Sequence, residues 1–318
     1  MKRVLSLLVF AWALNGCDDG NLIQEDINFE DATTQSCSTN NIIYKLNDKE
    51  ALLLEIPQTS FKNEPSGDTP TTLSINGTNR VVYRFYNGTV TSDNICETIP
   101  PATPVVNNQW NATDGTIQIT TTSVKTVNTT ENSTRISGYS HNIVFKNITF
   151  AKENGTQVYE TFPFGTYTTS ATTLPFNFDK TLDKCSNSNL VYDFTTSEAL
   201  MLNIDPSLIV NEITAANAPR KGLISASKNS LTYRLFADLL TGSYFCNATT
   251  PTTPALKEEW NAVAGVTDVS GIVEVTTTTN GPNSFKHTIV LKKVTLKKGN
   301  SSFLLGDNYI YGDLLTTN

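Results

Sequence analysis

Five cysteines are the residues of this sequence whose types and spacing most directly predict covalent chemistry. Four of them form two pairs, since Cys37 and Cys96 are 59 residues apart and Cys185 and Cys246 are 61 apart. Similar spacing favours one disulfide within each pair, although four cysteines allow three pairings and the sequence alone does not exclude the others. The fifth, Cys17, has no counterpart, so it requires a different chemistry.

Acidic and histidine side chains are the next candidates for chemistry. Glu50 and Glu198 recur in similar segments and are the best candidates for a carboxylate pair, but we expect each to fix a turn at a strand end. His141 and His287 also recur. Isolated histidines of this kind are expected to be structural or solvated, because zinc sites need clustered His and Cys. We therefore predict no catalytic residue, no metal and no cofactor.

Two tryptophans are the candidate ligand-binding residues. Trp110-Asn111 and Trp260-Asn261 form a dipeptide that recurs about 150 residues apart. If the indoles are exposed, they would form platforms on which sugars stack. If they are buried, they would pack on the disulfides. The sequence leaves both alternatives open.

The elements that position these residues come from an internal duplication, which a search for self-similarity reveals before any other motif. Three of the matched pairs are "SCSTNNIIY" (36–44) with "KCSNSNLVY" (184–192), "TPVVNNQWNA" (103–112) with "TPALKEEWNA" (253–262), and "HNIVFKNITF" (141–150) with "HTIVLKKVTL" (287–296). The predicted organisation is a signal peptide (1–16), an acidic tether (17–26), a first repeat (27–165), a linker (166–175) and a second repeat (176–318). Each repeat is long enough to bury its own core.

The paired segments predict an all-β fold. Short alternating strands between turns rich in Gly, Asn, Pro and Thr indicate two tandem β-sandwich domains with one disulfide each, and a closed barrel per repeat is the alternative. In "EALLLEI", alternation predicts that Leu52, Leu54 and Ile56 face the core while the opposite side varies. The same pattern predicts buried Val81, Tyr83 and Phe85. One short helix is expected within 207–222.

The histidine-led strands carry a break in their alternation. Ile143 and Phe145 are followed after a step of three by Ile148 and Phe150, and the second repeat has the same step. A step of three moves the apolar side to the opposite face of the strand. We therefore predict a β-bulge near 146–147 and another near 292–293.

The N-terminus predicts export. A basic start, Met1 to Arg3, precedes an apolar run of 11 residues, Val4 to Leu14, whereas a membrane-spanning helix needs about 20. Leu14-Asn15-Gly16-Cys17 resembles the bacterial lipoprotein signal, and the following Asp-Asp-Gly resembles the surface-export signal of lipoproteins from Bacteroidota. This resemblance implies cleavage after Gly16 and fatty acylation of the Cys17 thiol. It also leaves an even number of cysteines for disulfides.

Charge and location together define the functional hypotheses. The formal net charge is −7, so binding of nucleic acid through bulk electrostatics is not expected. The expected location is the outer membrane, facing the cell exterior, with the lipid anchor as the membrane partner. The first hypothesis is a non-catalytic binding or adhesion module with a glycan or protein ligand. The second is a structural subunit of a surface assembly, and the third is an enzyme acting on glycan or peptide.

Overall fold

The structure is a computed structural model that describes residues 27–317. The predicted signal peptide and acidic tether lie outside these residues. It confirms the predicted fold class, because the chain is nearly all β and forms two β-sandwich-like domains from the duplication, with one disulfide each. Among residues 27–317, helical structure is restricted to single turns, the longest being Asp93–Cys96. Within the described residues, the helices are too short to cross a membrane.

Eight strands form the first sheet. They are β1 (Gln35–Ser36), β2 (Ile42–Asn47), β3 (Glu50–Glu55), β4 (Thr71–Ser74), β5 (Arg80–Tyr86), β6 (Val106–Asn128), β7 (Ser133–Lys152) and β8 (Gly155–Ser170). Hydrogen-bonded neighbours follow the order β1-β2-β3-β5-β6-β7-β8, with β4 beside β6. The predicted linker therefore starts inside a strand, since residues 166–170 continue β8.

Eleven strands form the second sheet. They are β9 (Thr181–Lys184), β10 (Leu190–Phe194), β11 (Glu198–Asn203), β12 (Arg220–Leu223), β13 (Ser230–Phe236), β14 (Leu256–Ala262), β15 (Ile272–Thr279), β16 (Ser284–Lys292), β17 (Thr295–Lys298), β18 (Ser301–Leu304) and β19 (Tyr309–Thr317). Their order is β12-β15-β16-β19-β9-β10-β11-β13-β14-β17-β18. Most pairs are antiparallel, and β9 joins β19 in parallel.

The chain divides into two compact units whose limits differ from those of the sequence repeats. The described residues of the first unit are 27–56, 74–116 and 145–165. The second unit comprises 57–73, 117–144 and 166–317. It therefore contains the whole second repeat together with part of the first.

A left-handed residue reverses the buried side of each histidine-led strand. Asn147 has a φ of 50°, and Ile143, Phe145, Ile148 and Phe150 on either side of it are fully buried. Lys293 has a φ of 49° at the equivalent place in the second repeat, between β16 and β17. Each irregularity carries the apolar pattern across the step of three. In the first repeat β7 continues through it, whereas in the second repeat β16 ends and β17 begins with different partner strands, so a break between strands stands where a β-bulge near 292–293 was predicted.

In the first unit, a glycine makes room for this corner. Gly115 has a φ of 118°, and a Cβ built on it would lie 2.8 Å from Cα of Ile148 and 2.9 Å from the carbonyl oxygen of Asn147. Both the positive φ and the close approach of backbone exclude a side chain here. The corner therefore depends on a glycine in one strand facing a left-handed residue in its neighbour.

The central strands are buried on both faces, which corrects the predicted one-sided alternation. In β11, Leu200 and Leu202 belong to the main core of the second unit. Ala199 and Met201 point to the other face and join a separate cluster with Cys185. The disulfide-bearing segments cover this second face, so the near-continuous apolar run reflects two layers of packing.

Two further expectations were wrong. Phe85 is 38% exposed, although its counterpart Leu235 is buried and both strands shift register at the same place, so the shift does not account for the exposure. The helix expected within 207–222 is limited to the 3₁₀ turn Pro206–Leu208, and the segment ends in β12. Pro206 suits the first position of a helical turn, since its missing N–H would have no partner there.

The segment that enters each repeat is held by a charged side chain at an equivalent position, and the sign of that charge differs between the two repeats. Nζ of the buried Lys45 donates a hydrogen bond of 2.7 Å to the carbonyl oxygen of Phe29. In the second repeat this position is Asp193, whose Oδ2 accepts the backbone N–H of Lys180 at 2.9 Å. Burial lowers the pKa of Lys45, and it raises the pKa of Asp193 to about 6.

Removing either disulfide should destabilise the protein measurably. We expect the Cys37→Ser/Cys96→Ser and Cys185→Ser/Cys246→Ser double variants each to lose about 4 kcal/mol, because loops of this length restrict the unfolded chain. Unfolding in guanidinium chloride, followed by circular dichroism, measures the loss. Transition midpoints unchanged from those of the wild type would contradict this expectation.

Candidate functional site

The two disulfides join cysteines within each repeat, as the spacing predicted. The Cα–Cα distance is 5.3 Å for Cys37–Cys96 and for Cys185–Cys246. Cys37 packs in a cluster with side chains from β2, β3 and β5. Each disulfide therefore fastens a loop over the outer face of a central strand.

Trp110 and Trp260 do not form the sugar-stacking platforms that exposure would have allowed. They are 1% and 4% exposed. The ring of Trp110 lies 4.8 Å from that of Tyr83, and Nζ of Lys152 lies 4.2 Å from its centroid. The alternative of packing on the disulfide is also wrong for Trp260, because it belongs to the main core and Cys185 to the cluster on the opposite face of the sheet.

The recurring glutamates have structural partners. The hydroxyl of Tyr83 donates to Glu50, and the hydroxyl of Tyr233 donates to Oε2 of Glu198 at 2.7 Å. Glu198 is 1% exposed and also accepts the backbone N–H groups of residues 176 and 177, at 2.9 and 2.7 Å. Glu198 therefore fixes the segment that enters the second repeat and Glu50 contacts the neighbouring strand β5, whereas each was expected to fix a turn at its own strand end.

His141 is fully buried and forms the centre of a chain of hydrogen bonds. Its Nδ1 lies 2.9 Å from Oγ1 of Thr121, and its Nε2 lies 2.9 Å from Oγ1 of Thr169. The Thr169 hydroxyl in turn donates to Oδ1 of Asn63 at 2.7 Å. Since that hydroxyl proton is used on Asn63, Thr169 accepts from Nε2–H and Nδ1 accepts from Thr121. The imidazole is therefore neutral.

The second repeat builds the same chain. Nδ1 of His287 lies 2.8 Å from Oγ1 of Thr277, and Nε2 lies 2.9 Å from Oγ1 of Thr316. The Thr316 hydroxyl donates to Oδ1 of Asn211 at 2.5 Å. We call each group of four side chains a Thr-His-Thr-Asn chain. Each one links three neighbouring strands and the loop that carries the asparagine.

Burial keeps both histidines uncharged. It lowers the pKa of His141 from 6.5 to about 4. It also lowers the pKa of His287, and the nearby guanidinium of Arg220 acts in the same direction. A buried neutral histidine with both ring nitrogens satisfied acts as a fixed connector between strands.

The sequence comparison found the histidines but missed their partners. The signal was present in the aligned segments, because Asn63-Glu64 matches Asn211-Glu212. The threonine partners lie in Thr-rich stretches, where single matches carry little weight. The asparagine and the second threonine of the first chain are 106 residues apart, so strand topology was needed to bring them together.

Two expectations about the site concern the lipid attachment at Cys17 and metal binding. Cys17 lies outside the described residues, so its lipidation stays a prediction. Among residues 27–317, no group of three or more His, Cys, Asp or Glu side chains is placed to hold a metal ion. Comparison of the chain with protein-family models, with curated proteins and with solved structures found no match.

The neutral state of His141 predicts a pH dependence of stability. Above about pH 6.5 neither state binds the proton, so the full stability is present. As the pH falls from about 6.5 to 4, His141 becomes protonated in the unfolded state but stays neutral in the folded state. The free energy of unfolding should therefore fall by about 3 kcal/mol. Urea unfolding at several pH values should show this loss.

The His141→Gln variant is the control, because glutamine has no titrating group. The free energy of unfolding of this variant should therefore fall less over the same pH range, and the difference from the wild type is the contribution of His141. Titration of His141 near pH 6.5 in the native protein, followed by NMR, would contradict a depressed pKa.

Proposed function

We propose that this protein is a lipid-anchored protein of the outer cell surface that acts as a non-catalytic binding or adhesion module. The anchor is the diacylglycerol on Cys17, and the two β-sandwich-like domains carry the recognition surfaces. The N-terminal pattern supports the anchor. The two disulfides support an exported location, since such bonds persist in oxidising compartments.

One observation carries the proposed role in binding: the two repeats share their buried frame and differ at exposed positions. The shared residues are the cysteines, the core side chains and the Thr-His-Thr-Asn chains. In the loops after the second cysteine of each pair, Ile99 is 87% exposed, whereas the equivalent residue is Thr249. A conserved frame with variable loops is the arrangement that recognition domains use.

Lipidation of Cys17 is tested on protein purified from its own cells. Mass spectrometry of the N-terminal peptide should show a chain that starts at Cys17 and carries the mass of a diacylglycerol. The Cys17→Ala variant should lose this mass and move from the membrane fraction to the soluble fraction. An unmodified, freely soluble wild-type protein would overturn the proposed anchor.

The proposed binding role has its own assay. Cells that display the wild-type protein should attach to a glycan or protein surface more than cells that display no copy. Stable recovery of the protein as a stoichiometric component of a surface assembly, without attachment, would favour the structural-subunit alternative.

A further inference from the structure

A polar trough lies on the solvent-facing side of the sheet in the second compact unit. Its volume is about 670 Å³, within the range of sites that hold small molecules or short stretches of a chain. Glu274, Thr276 and Thr278 of β15 form its floor, and the loop 214–219 forms one side. All of the lining residues belong to this unit. The site is therefore complete within one compact unit.

Hydrogen bonds fix the loop that forms this side. The backbone N–H of Thr214 donates to the carbonyl oxygen of Thr277 at 3.1 Å, and Oγ1 of Thr214 accepts the N–H of Thr277 at 3.1 Å. The guanidinium of Arg220 donates to Oγ1 of Thr277 at 2.8 Å and to the carbonyl oxygen of Glu212 at 2.6 Å. Since Thr277 belongs to the second Thr-His-Thr-Asn chain, the loop is anchored to the buried frame. A preformed wall loses little conformational entropy when a ligand binds.

The floor presents hydroxyl groups at a regular spacing. Thr277 is fully buried, so Thr276 and Thr278 on either side of it point to the solvent-facing side of β15. Both are exposed, and alternate residues along a strand are about 7 Å apart. Each hydroxyl can donate one hydrogen bond and accept others. This floor suits an extended ligand that carries several hydroxyl groups.

Two lysines hold a recessed carboxylate in the trough. Nζ of Lys221 lies 3.2 Å from Oε1 of Glu274, and Nζ of Lys292 lies 3.5 Å from Oε2. The side chain of Glu274 is 15% exposed, whereas those of Lys221 and Lys292 are 55% and 37% exposed. Two ammonium groups share one carboxylate, so this part of an acidic protein carries a local positive charge. A ligand that enters the trough meets the ammonium groups, which attract an anion.

The first repeat lacks these charges. When β4 is matched with β12 and β6 with β15, Thr72 takes the position of Lys221 and Gln118 takes that of Glu274. The shared frame therefore accepts uncharged residues at both places, and the charges are not needed for the fold. They belong to the exposed positions at which the two repeats differ.

The trough suits a sugar chain better than a peptide. β15 is paired with β12 on one edge and with β16 on the other, so a peptide has no free edge on which to add a strand. The apolar lining consists of Ala215, Ala216 and Pro219, which form no pocket for a large side chain. A sugar chain needs neither feature, because its hydroxyls bond to the floor and its acidic groups bond to the lysines.

We propose that this trough binds an acidic polysaccharide, a chain of sugar residues that carry carboxylate groups, and this inference rests on the proposed binding function. One carboxylate of the ligand lies between the ammonium groups of Lys221 and Lys292. Hydroxyls of the same chain form hydrogen bonds with Thr276 and Thr278.

The test titrates full-length protein with the trisaccharides of galacturonate and of mannuronate in a calorimeter. At least one should bind, and the neutral trisaccharide of the same sugar, galactose or mannose, should bind at least about tenfold more weakly. Added salt should weaken the binding, because it screens exposed charges. Triglutamate, which carries three carboxylates without sugar rings, should bind more weakly than the acidic trisaccharide. Equal binding of triglutamate would contradict recognition of a sugar chain.

Two substitutions introduce the residue of the first repeat and should have opposite effects. Lys221→Thr removes one ammonium group and should weaken binding of the acidic trisaccharide about tenfold. Glu274→Gln frees both ammonium groups from their carboxylate and should strengthen that binding about fivefold. Lys228→Gln is the matched control, because Lys228 forms a similar pair with Asp205 at 2.8 Å outside the trough, and this variant should bind as the wild type does. Either trough variant decides the proposal if the other fails to fold.

Two results would overturn the trough as the site. One is the absence of binding by both acidic trisaccharides, and the other is an affinity that Lys221→Thr and Glu274→Gln leave unchanged. Neither result decides the proposed function, which the cell-attachment assay tests separately. If cells that display Lys221→Thr attach to their surface as strongly as wild-type cells do, the recognition surface lies elsewhere on the protein.

Discussion

The reversal of the buried side at Asn147 and at Lys293 is the constraint on which the architecture depends. In a strand without interruption, side chains separated by an odd number of residues lie on opposite faces. Here the apolar residues before and after the left-handed residue all become buried, although their spacing alone would place them on opposite faces. Without the corner, the apolar side chains after the step of three would lie on the face opposite to those before it. Gly115 shows that the neighbouring strand is adapted to the same corner.

Much of this frame could be predicted from the sequence because the duplication supplies two versions of each strand. Both disulfides and both corners followed from spacing that recurs in the two repeats. The second buried face of β3 and β11 did not, because irregular disulfide-bearing segments cover it and leave no periodic signal. Phe85 was misplaced as well, because its counterpart Leu235 is buried and the matching of the two repeats gave no sign that Phe85 would differ.

The candidate site was harder to predict than the fold. Burial of Trp110 and Trp260 depends on which strands face them, and the recurring Trp-Asn dipeptide is compatible with either face. The Thr-His-Thr-Asn chains combine residues that are ordinary in a Thr-rich and Asn-rich chain. They become recognisable only when the loop carrying Asn63 or Asn211 is placed beside the sheet. A fully satisfied polar chain inside an apolar core specifies which strands may be neighbours, since any other arrangement leaves its members unpaired.

The opposite polarity of Lys45 and Asp193 has a consequence for how a duplicated chain reaches its native state. Two similar entering segments compete for two similar sheets. If the segment of the second repeat lay on the first, the Lys180 N–H would meet an ammonium, donor against donor. The reverse exchange would place the carbonyl oxygen of Phe29 against a carboxylate, acceptor against acceptor. Misassembly between neighbouring repeats is a characteristic failure of such chains. The opposite hydrogen-bonding polarity of Lys45 and Asp193 disfavours the exchanged arrangement, because each residue pairs only with the segment of its own repeat.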